Sequence, residues 1–451
     1  MQGRGWGVTV AFLPILLVVL VGPGVSLGQD RRSDDADEAD ESNEAAIEVQ
    51  PLPDEVAGAE ATRHWELALN GYLDIGFADA QGNGTSFVAG DTRVPADYVV
   101  DTFATAVNSR GDVASTQTDR YTNGFLPRQM GMGGRPSFLI NNLNQDLRYS
   151  SADERLMVFA RAQVLPRYTD AGNETRLFVE QAFARVVPFA ALEMALTVGK
   201  FDSVFGIEYL DNPSTVRVGV TPSLIARYTT GQCVGAKLLY RLHIPALASS
   251  ISVNASASNG GTQVESLQPV DISLTGRPVL AGRLGYELGL PRWQIKLGGS
   301  VLHGPRNDQR DSNVHQTNWG LDARIYVAGL SLSGEWIYFE EEPGTGAKFT
   351  GNGTHDFASG FEVRGFYVQA AYRLPIAFET ITGITIYARA EQRRARFDGY
   401  PLIESRRLTP GVHLDLGHNV ALKGEWLFNR EGAGALSVAN DVRTVSSVLS
   451  W

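Results

Sequence analysis

The sequence predicts an all-β chain: a transmembrane antiparallel up-and-down β-barrel of about 16 strands, with short turns on one rim and long loops on the other. Three observations carry this. Apolar and polar side chains alternate with period two over runs longer than a globular strand usually sustains. The connections between these runs alternate between short and long. The tryptophans beyond the N-terminal segment all fall on the apolar faces.

Composition alone points elsewhere. The chain has 451 residues, is 43% hydrophobic and carries a formal net charge of −11, which resembles an acidic soluble protein. A membrane helix needs roughly 20 consecutive apolar residues, and the one candidate lies at the N-terminus. Cys233 is the sole cysteine, which excludes a disulfide framework and a cysteine-built metal site.

Residues 1–28 have the plan of a secretory signal peptide: Arg4, an apolar run over 8–21 interrupted by Pro14, breakers at Pro23 and Gly24, and Ser26-Leu27-Gly28 before a cleavage point at Gln29. A retained anchor helix is the alternative. Residues 29–63 form an acidic stretch expected to be a disordered periplasmic tether. Such a run can also bind calcium or a basic partner. It carries most of the net negative charge, so the segment 64–451 is nearly balanced. No basic patch points to nucleic acid.

From residue 64 the strands follow in order. In 64–78, Trp65, Leu67, Leu69, Leu73, Ile75 and Phe77 share one face, with Glu66, Asn70, Tyr72 and Asp74 on the other. Further strands are expected at 138–149, 155–166, 175–187 and 192–203. In 175–187 both faces are mixed and the register stays open. Clear alternation returns at 233–244, 247–258, 278–290, 293–303, 317–327, 330–340, 359–374, 383–397, 406–416, 420–430 and 441–451. The eight long connections (79–137, 167–174, 204–232, 259–277, 304–316, 341–358, 398–405 and 431–440) all fall on one rim.

Trp65, Trp293, Trp319, Trp336, Trp426 and Trp451 lie near strand ends on the apolar faces, as an interfacial girdle requires. The polar faces carry charges of both signs. A soluble sandwich accounts for the alternation but not for strand length, turn asymmetry or tryptophan placement. Sixteen strands leave an aqueous lumen, so Lys237, Arg241, Lys296, Arg324, Glu335, Arg389, Glu391, Arg393 and Glu425 are expected to line it. The 204–232 loop, with Glu208, Asp211, Arg217 and Arg227, is the candidate to fold inward and narrow the bore. A surface loop is the alternative.

GYLDIGFA (71–78) and the block VEQAFARVVPFAALEMALTVGKFDSVFGIEYLDN (179–212) resemble outer-membrane β-barrel porins, especially the OmpL-like and phosphate-selective groups. The most specific piece is GKFDSVFGIEY (199–209), which is similar to the strand leading into the third extracellular loop of such porins. The architectural likeness covers 64–451, the motif-level likeness a small part of it. The resemblance implies passive diffusion of small hydrophilic solutes, a homotrimer, and lipid of a Gram-negative outer membrane as surroundings. Terminal Trp451 resembles the signal read by the barrel assembly machinery.

No cofactor, metal site or catalytic role is expected. Arg389 and Arg393 suit an anion- or phosphate-selective pore. Glu391 between them, and mixed signs elsewhere, argue for a weakly selective one. The rival classes are an outer-membrane enzyme and a plugged structural or adhesive barrel. For the enzyme, no serine lies in a nucleophile motif beside a histidine, and His413-Leu-Asp415 reads as lumen lining.

Overall fold

The computed structural model describes residues 65–80, 136–169, 172–189, 192–229, 231–259, 276–305, 314–343, 361–376, 378–397, 402–432 and 441–451. The signal and tether expected over 1–63, most of the first loop and most of the later long loops lie outside the described residues.

The strands are β1 (Trp65–Ala80), β2 (Ser137–Ser151), β3 (Leu156–Thr169), β4 (Gly172–Val186), β5 (Met194–Asp202), β6 (Gln232–Ile244), β7 (Ser249–Asn259) and β8 (Pro278–Leu290). They continue as β9 (Trp293–Pro305), β10 (His315–Val327), β11 (Leu330–Glu341), β12 (Phe361–Arg373), β13 (Gly383–Phe397), β14 (Ile403–Leu416), β15 (Val420–Glu431) and β16 (Val442–Ser450). Each pairs antiparallel with its sequence neighbours, and β1 pairs with β16, so the barrel closes. Closure leaves no sheet edge with unpaired backbone groups. At the seam, the Gly71 N–H donates to the Trp451 carbonyl at 3.1 Å and the Trp451 N–H returns a bond to Gly71 at 3.0 Å.

The alternation sorts inside from outside. In β16, Val442, Thr444, Ser446 and Val448 are buried while Arg443 and Val445 face outward. The six tryptophans are 39–51% exposed, so their rings lie on the barrel exterior. Leu67, Leu69, Leu284, Leu321, Val368 and many other large apolar side chains share that surface. An exterior this apolar, around an interior holding charge, inverts the soluble arrangement and matches lipid on the outside.

Two parts of the sequence reading change. The 167–174 connection is no long loop: β3 runs to Thr169 and β4 begins at Gly172, so the strands absorb it. The mixed faces of β4 have a physical cause. The pairing with β3 shifts register between Arg161 and Ala162, opposite Gln181 and Val179. Leu177 and Val179 face outward before this bulge, and Ala182, Ala184 and Val186 do so after it. One extra residue exchanges the two faces, so no single period describes the strand. β2 has the same device opposite Asp74/Ile75, which turns both Asn141 and Asn142 inward.

Gly199 in β5 has φ +131°, and a Cβ there would run into the Ala182 carbonyl and stand 2.8 Å from Phe183 Cα. Gly199→Ala is expected to destabilise the barrel by about 1–3 kcal/mol, the usual cost of a backbone outlier held by its surroundings. The lowered temperature at which the purified protein loses its folded gel mobility would show it. An unchanged temperature would mean that β4 and β5 adjust freely.

Candidate functional site

The segment between β5 and β6 runs inside the barrel. Within it lie a 3-10 turn at Glu208–Asp211 and a one-turn helix at Ala226–Thr229. Of its residues, Val204 through Tyr209 and Val220 through Ala226 are all buried. A buried loop must find partners for its backbone polar groups, and here the inward side chains of the wall supply them.

On one side, the N–H groups of Ile207 and Glu208 both donate to the Glu335 carboxylate at 3.2 Å, and the Gly206 N–H donates to Ser300 Oγ at 3.1 Å. Arg324 bonds the Ile207 carbonyl at 3.3 Å and pairs with Asp211 at 2.7 Å. Further along, Lys423 Nζ donates to the carbonyls of Ser214 and Arg217. The Thr221 N–H and hydroxyl both donate to Glu425 at 2.8 Å. Arg389 and Arg407 both donate to the Pro222 carbonyl, at 3.1 and 2.6 Å, and both pair with Glu391. Ser214 reaches Asp74 across the seam strand. Within the loop, the Ser223 N–H and hydroxyl donate to Glu208. Burial pushes the Glu208 carboxyl up, against the lowering effect of the Ser223 bonds and Arg389.

Apolar packing completes the attachment. Phe205, Ile225 and Tyr228 from the loop form one buried cluster with Val279, Leu302, Ile337, Phe339, Val363 and Tyr367 from β8–β9 and β11–β12. Each such side chain contributes about 1.5–3 kcal/mol when fully buried. The sequence carried a sign of this. Trp336-Ile337-Tyr338-Phe339 is apolar on both strand faces, so something dry must cover the inner face as lipid covers the outer one.

The nine residues expected to line the lumen all project inward, but they divide into two sets. Glu335, Arg389, Glu391, Arg393 and Glu425 are buried, and Arg324 is half-buried against the loop. Glu335, Arg389, Glu391, Glu425 and Arg324 each contact the loop or a group holding it. Lys237, Arg241 and Lys296 stand away from these contacts. Lys296 lies 3.8 Å from Glu287, and Lys237 sits over the Phe201 ring at 5.4 Å. Of the loop residues, Glu208, Asp211 and Arg217 lie inside the barrel, Glu208 and Arg217 buried. The side chain of Arg227 is outside the described ones.

Between the loop and the β2–β7 wall lies a cavity of about 200 Å³. Five basic side chains (Arg148, Arg161, Arg185, Lys237 and Arg241) and three acidic ones (Asp146, Glu193 and Asp202) line it, with Phe159, Phe183 and Tyr209. Arg161 is held by Asp146 through two bonds of 2.7 Å. Arg148, Arg161 and Arg185 are missing from the sequence-derived set; of the three, Arg185 lies just past the bulge of β4, where the two faces exchange.

His413 Nε2 lies 2.9 Å from Asp415, but its Nδ1 lies 3.1 Å from the Val218 carbonyl, so the ring is another loop anchor. Among the described residues, no group of three His, Cys, Asp or Glu is placed to hold a metal ion.

No protein-family model and no curated protein matches the sequence. Among solved structures, the chain is similar to the outer membrane channel DcaP of Acinetobacter baumannii, with 10% identity and TM-score 0.49 over 86% of this chain and 97% of that one. It is similar to OmpF of Salmonella typhi with 9% identity and TM-score 0.47, over 85% and 97%. It is also similar to OmpT, an outer membrane protein of Vibrio cholerae in trimer form, with 9% identity and TM-score 0.47 over 86% and 99%.

Proposed function

We propose that the protein is a non-enzymatic porin of a Gram-negative outer membrane, exported by its N-terminal signal, delivered by the barrel assembly machinery and assembled as a homotrimer. It passes small hydrophilic solutes by diffusion through the space left between the 203–231 segment and the β2–β7 wall. The observation that carries this reading is the polar cavity beside a loop pinned across the lumen. Selectivity in such a passage follows from the charges that remain in contact with water.

A second reading, mild anion preference, is favoured by the excess of basic over acidic side chains around that cavity. It agrees in direction with the phosphate-selective porins that the sequence resembles, although here the cavity's bases are interspersed with acids. The purified protein in a planar bilayer under a KCl gradient tests both. Discrete conductance steps are expected, with a reversal potential displaced modestly toward that of chloride. Absence of steps would favour a plugged structural barrel. A reversal potential near that of potassium would sink the anion preference.

A further inference from the structure

Outward-facing residues near the long-loop rim are apolar or neutral on several strands: Phe77 on β1, Phe138 on β2, Leu280 on β8 and Thr317 on β10. On β12–β15 the pattern breaks. Arg364, Arg394, Arg406 and Arg430 all face outward there, with Arg396 one step further toward the rim. The register sets Arg364 opposite Arg394 and Arg406 opposite Arg430. Like charges placed directly across a strand pair repel, so the arrangement needs an explanation.

Part of it lies beneath the arginines. Glu404 accepts Arg394 Nε at 2.8 Å, Gln392 Nε2 at 3.0 Å and Arg406 Nε. Glu362 accepts Arg364 Nε at 2.6 Å, and Asp441 accepts Arg430 Nη1 at 3.1 Å. The acids are the covered partners: the side chains of Glu404, Asp441 and Glu362 are 7%, 16% and 28% exposed. The arginine side chains above them are 44–70% exposed. Three of the four arginines engage their carboxylate through Nε, and all four side chains stay largely exposed. A partner approaching β13–β15 therefore meets guanidinium before carboxylate, while Glu340 on β11 is an exposed carboxylate beside Arg364.

The height of the cluster matters as much as its charge. Arg364 stacks over the Tyr338 ring at 5.0 Å, next to Trp336, and Arg443 lies over Trp426 at 4.5 Å. The arginines thus sit at the edge of the aromatic belt, where apolar lipid chains give way to headgroups. A guanidinium fork matches the oxygens of a phosphate and forms charge-assisted bonds to it.

We propose that the outer surface of β12–β15 binds the phosphorylated headgroup of a lipid in the leaflet on the long-loop side, with Arg364, Arg394, Arg406 and Arg430 as its ligands. The site rests on the outer-membrane placement proposed above. The occupant is fixed by charge complementarity together with position at the lipid boundary.

The test uses the full protein in detergent, titrated with diphosphorylated lipid A and followed by native mass spectrometry. The phosphorylated lipid is expected to bind, and the same lipid stripped of its phosphates to bind about tenfold more weakly, the loss of one or two charge-assisted bonds. Arg406→Gln/Arg430→Gln is expected to weaken the first lipid by a similar factor and leave the second unchanged. Arg364→Gln does not touch the Glu404 network and gives an independent reading if the double variant folds poorly. Equal binding of the two lipids, or variants that keep folded gel mobility and full affinity, would overturn the site. Displacement by inorganic phosphate at the lipid's own concentration would make it a free-anion site and overturn the lipid assignment. Failure of the wild-type barrel to insert into bilayers would instead count against the outer-membrane reading, and conductance reports that separately.

Discussion

Replacing Arg389 and Arg407 by alanine is expected to detach the inner loop near residues 221–222 and to raise single-channel conductance, with noisier open levels. Both guanidiniums hold the Pro222 carbonyl, and Arg389 also reaches Thr221 Oγ1 at 3.1 Å. The same two side chains neutralise Glu391, whose side chain is fully buried. Removing both leaves an uncompensated buried charge, and breaking such pairs costs about 3–5 kcal/mol. The double variant should therefore lose folded gel mobility at a clearly lower temperature. Adding Glu391→Ala removes the stranded carboxylate and should recover much of the stability without restoring the loop contacts. High conductance is expected to persist in this triple variant. If stability falls but conductance stays at the wild-type level in both, the 203–231 segment does not narrow the conducting path.

This prediction depends on a feature that periodicity reveals only in part. Period two together with the spacing of the connections located all 16 strands, and period two placed the tryptophans outward, because one face of a regular strand meets a single kind of surroundings. It also placed Glu335, Arg389 and Glu425 on the inner face. What each inner residue faces depends on a loop far away in sequence. Pro222 lies more than 160 positions from Arg389, so no local pattern pairs them. The mixed signs on the inner face read as evidence about solutes, yet many of these charges serve the loop backbone. Alternation fails outright in β2 and β4, where a bulge exchanges the faces. The run at 336–339, apolar on both faces, was the one local sign that the lumen holds a dry contact.

The same division predicts where ion selectivity resides. Lys237→Glu/Arg241→Glu inverts the balance around the cavity beside the β2–β7 wall, since five bases and three acids become three bases and five acids. Neither residue touches the loop anchors on β10–β15. Lys237 gives up its contact with the Phe201 ring, a loss of about 0.5–1 kcal/mol, and its attraction to Asp202 in the same cavity; folded gel mobility checks that the variant keeps the barrel. The reversal potential in a KCl gradient is expected to change sign toward potassium. The change should be larger in dilute salt, because charges in a wet passage are screened over about 10 Å at 0.1 M ionic strength. Arg389→Ala/Arg393→Ala removes two positive charges as well, but from side chains that are almost fully buried. That variant should alter conductance and stability while leaving the reversal potential close to wild type. The opposite outcome, selectivity lost in the Arg389/Arg393 variant and retained in the Lys237/Arg241 variant, would move the selecting charge to the far wall. It would also mean that solutes pass on the side of the loop where its anchors crowd the lumen.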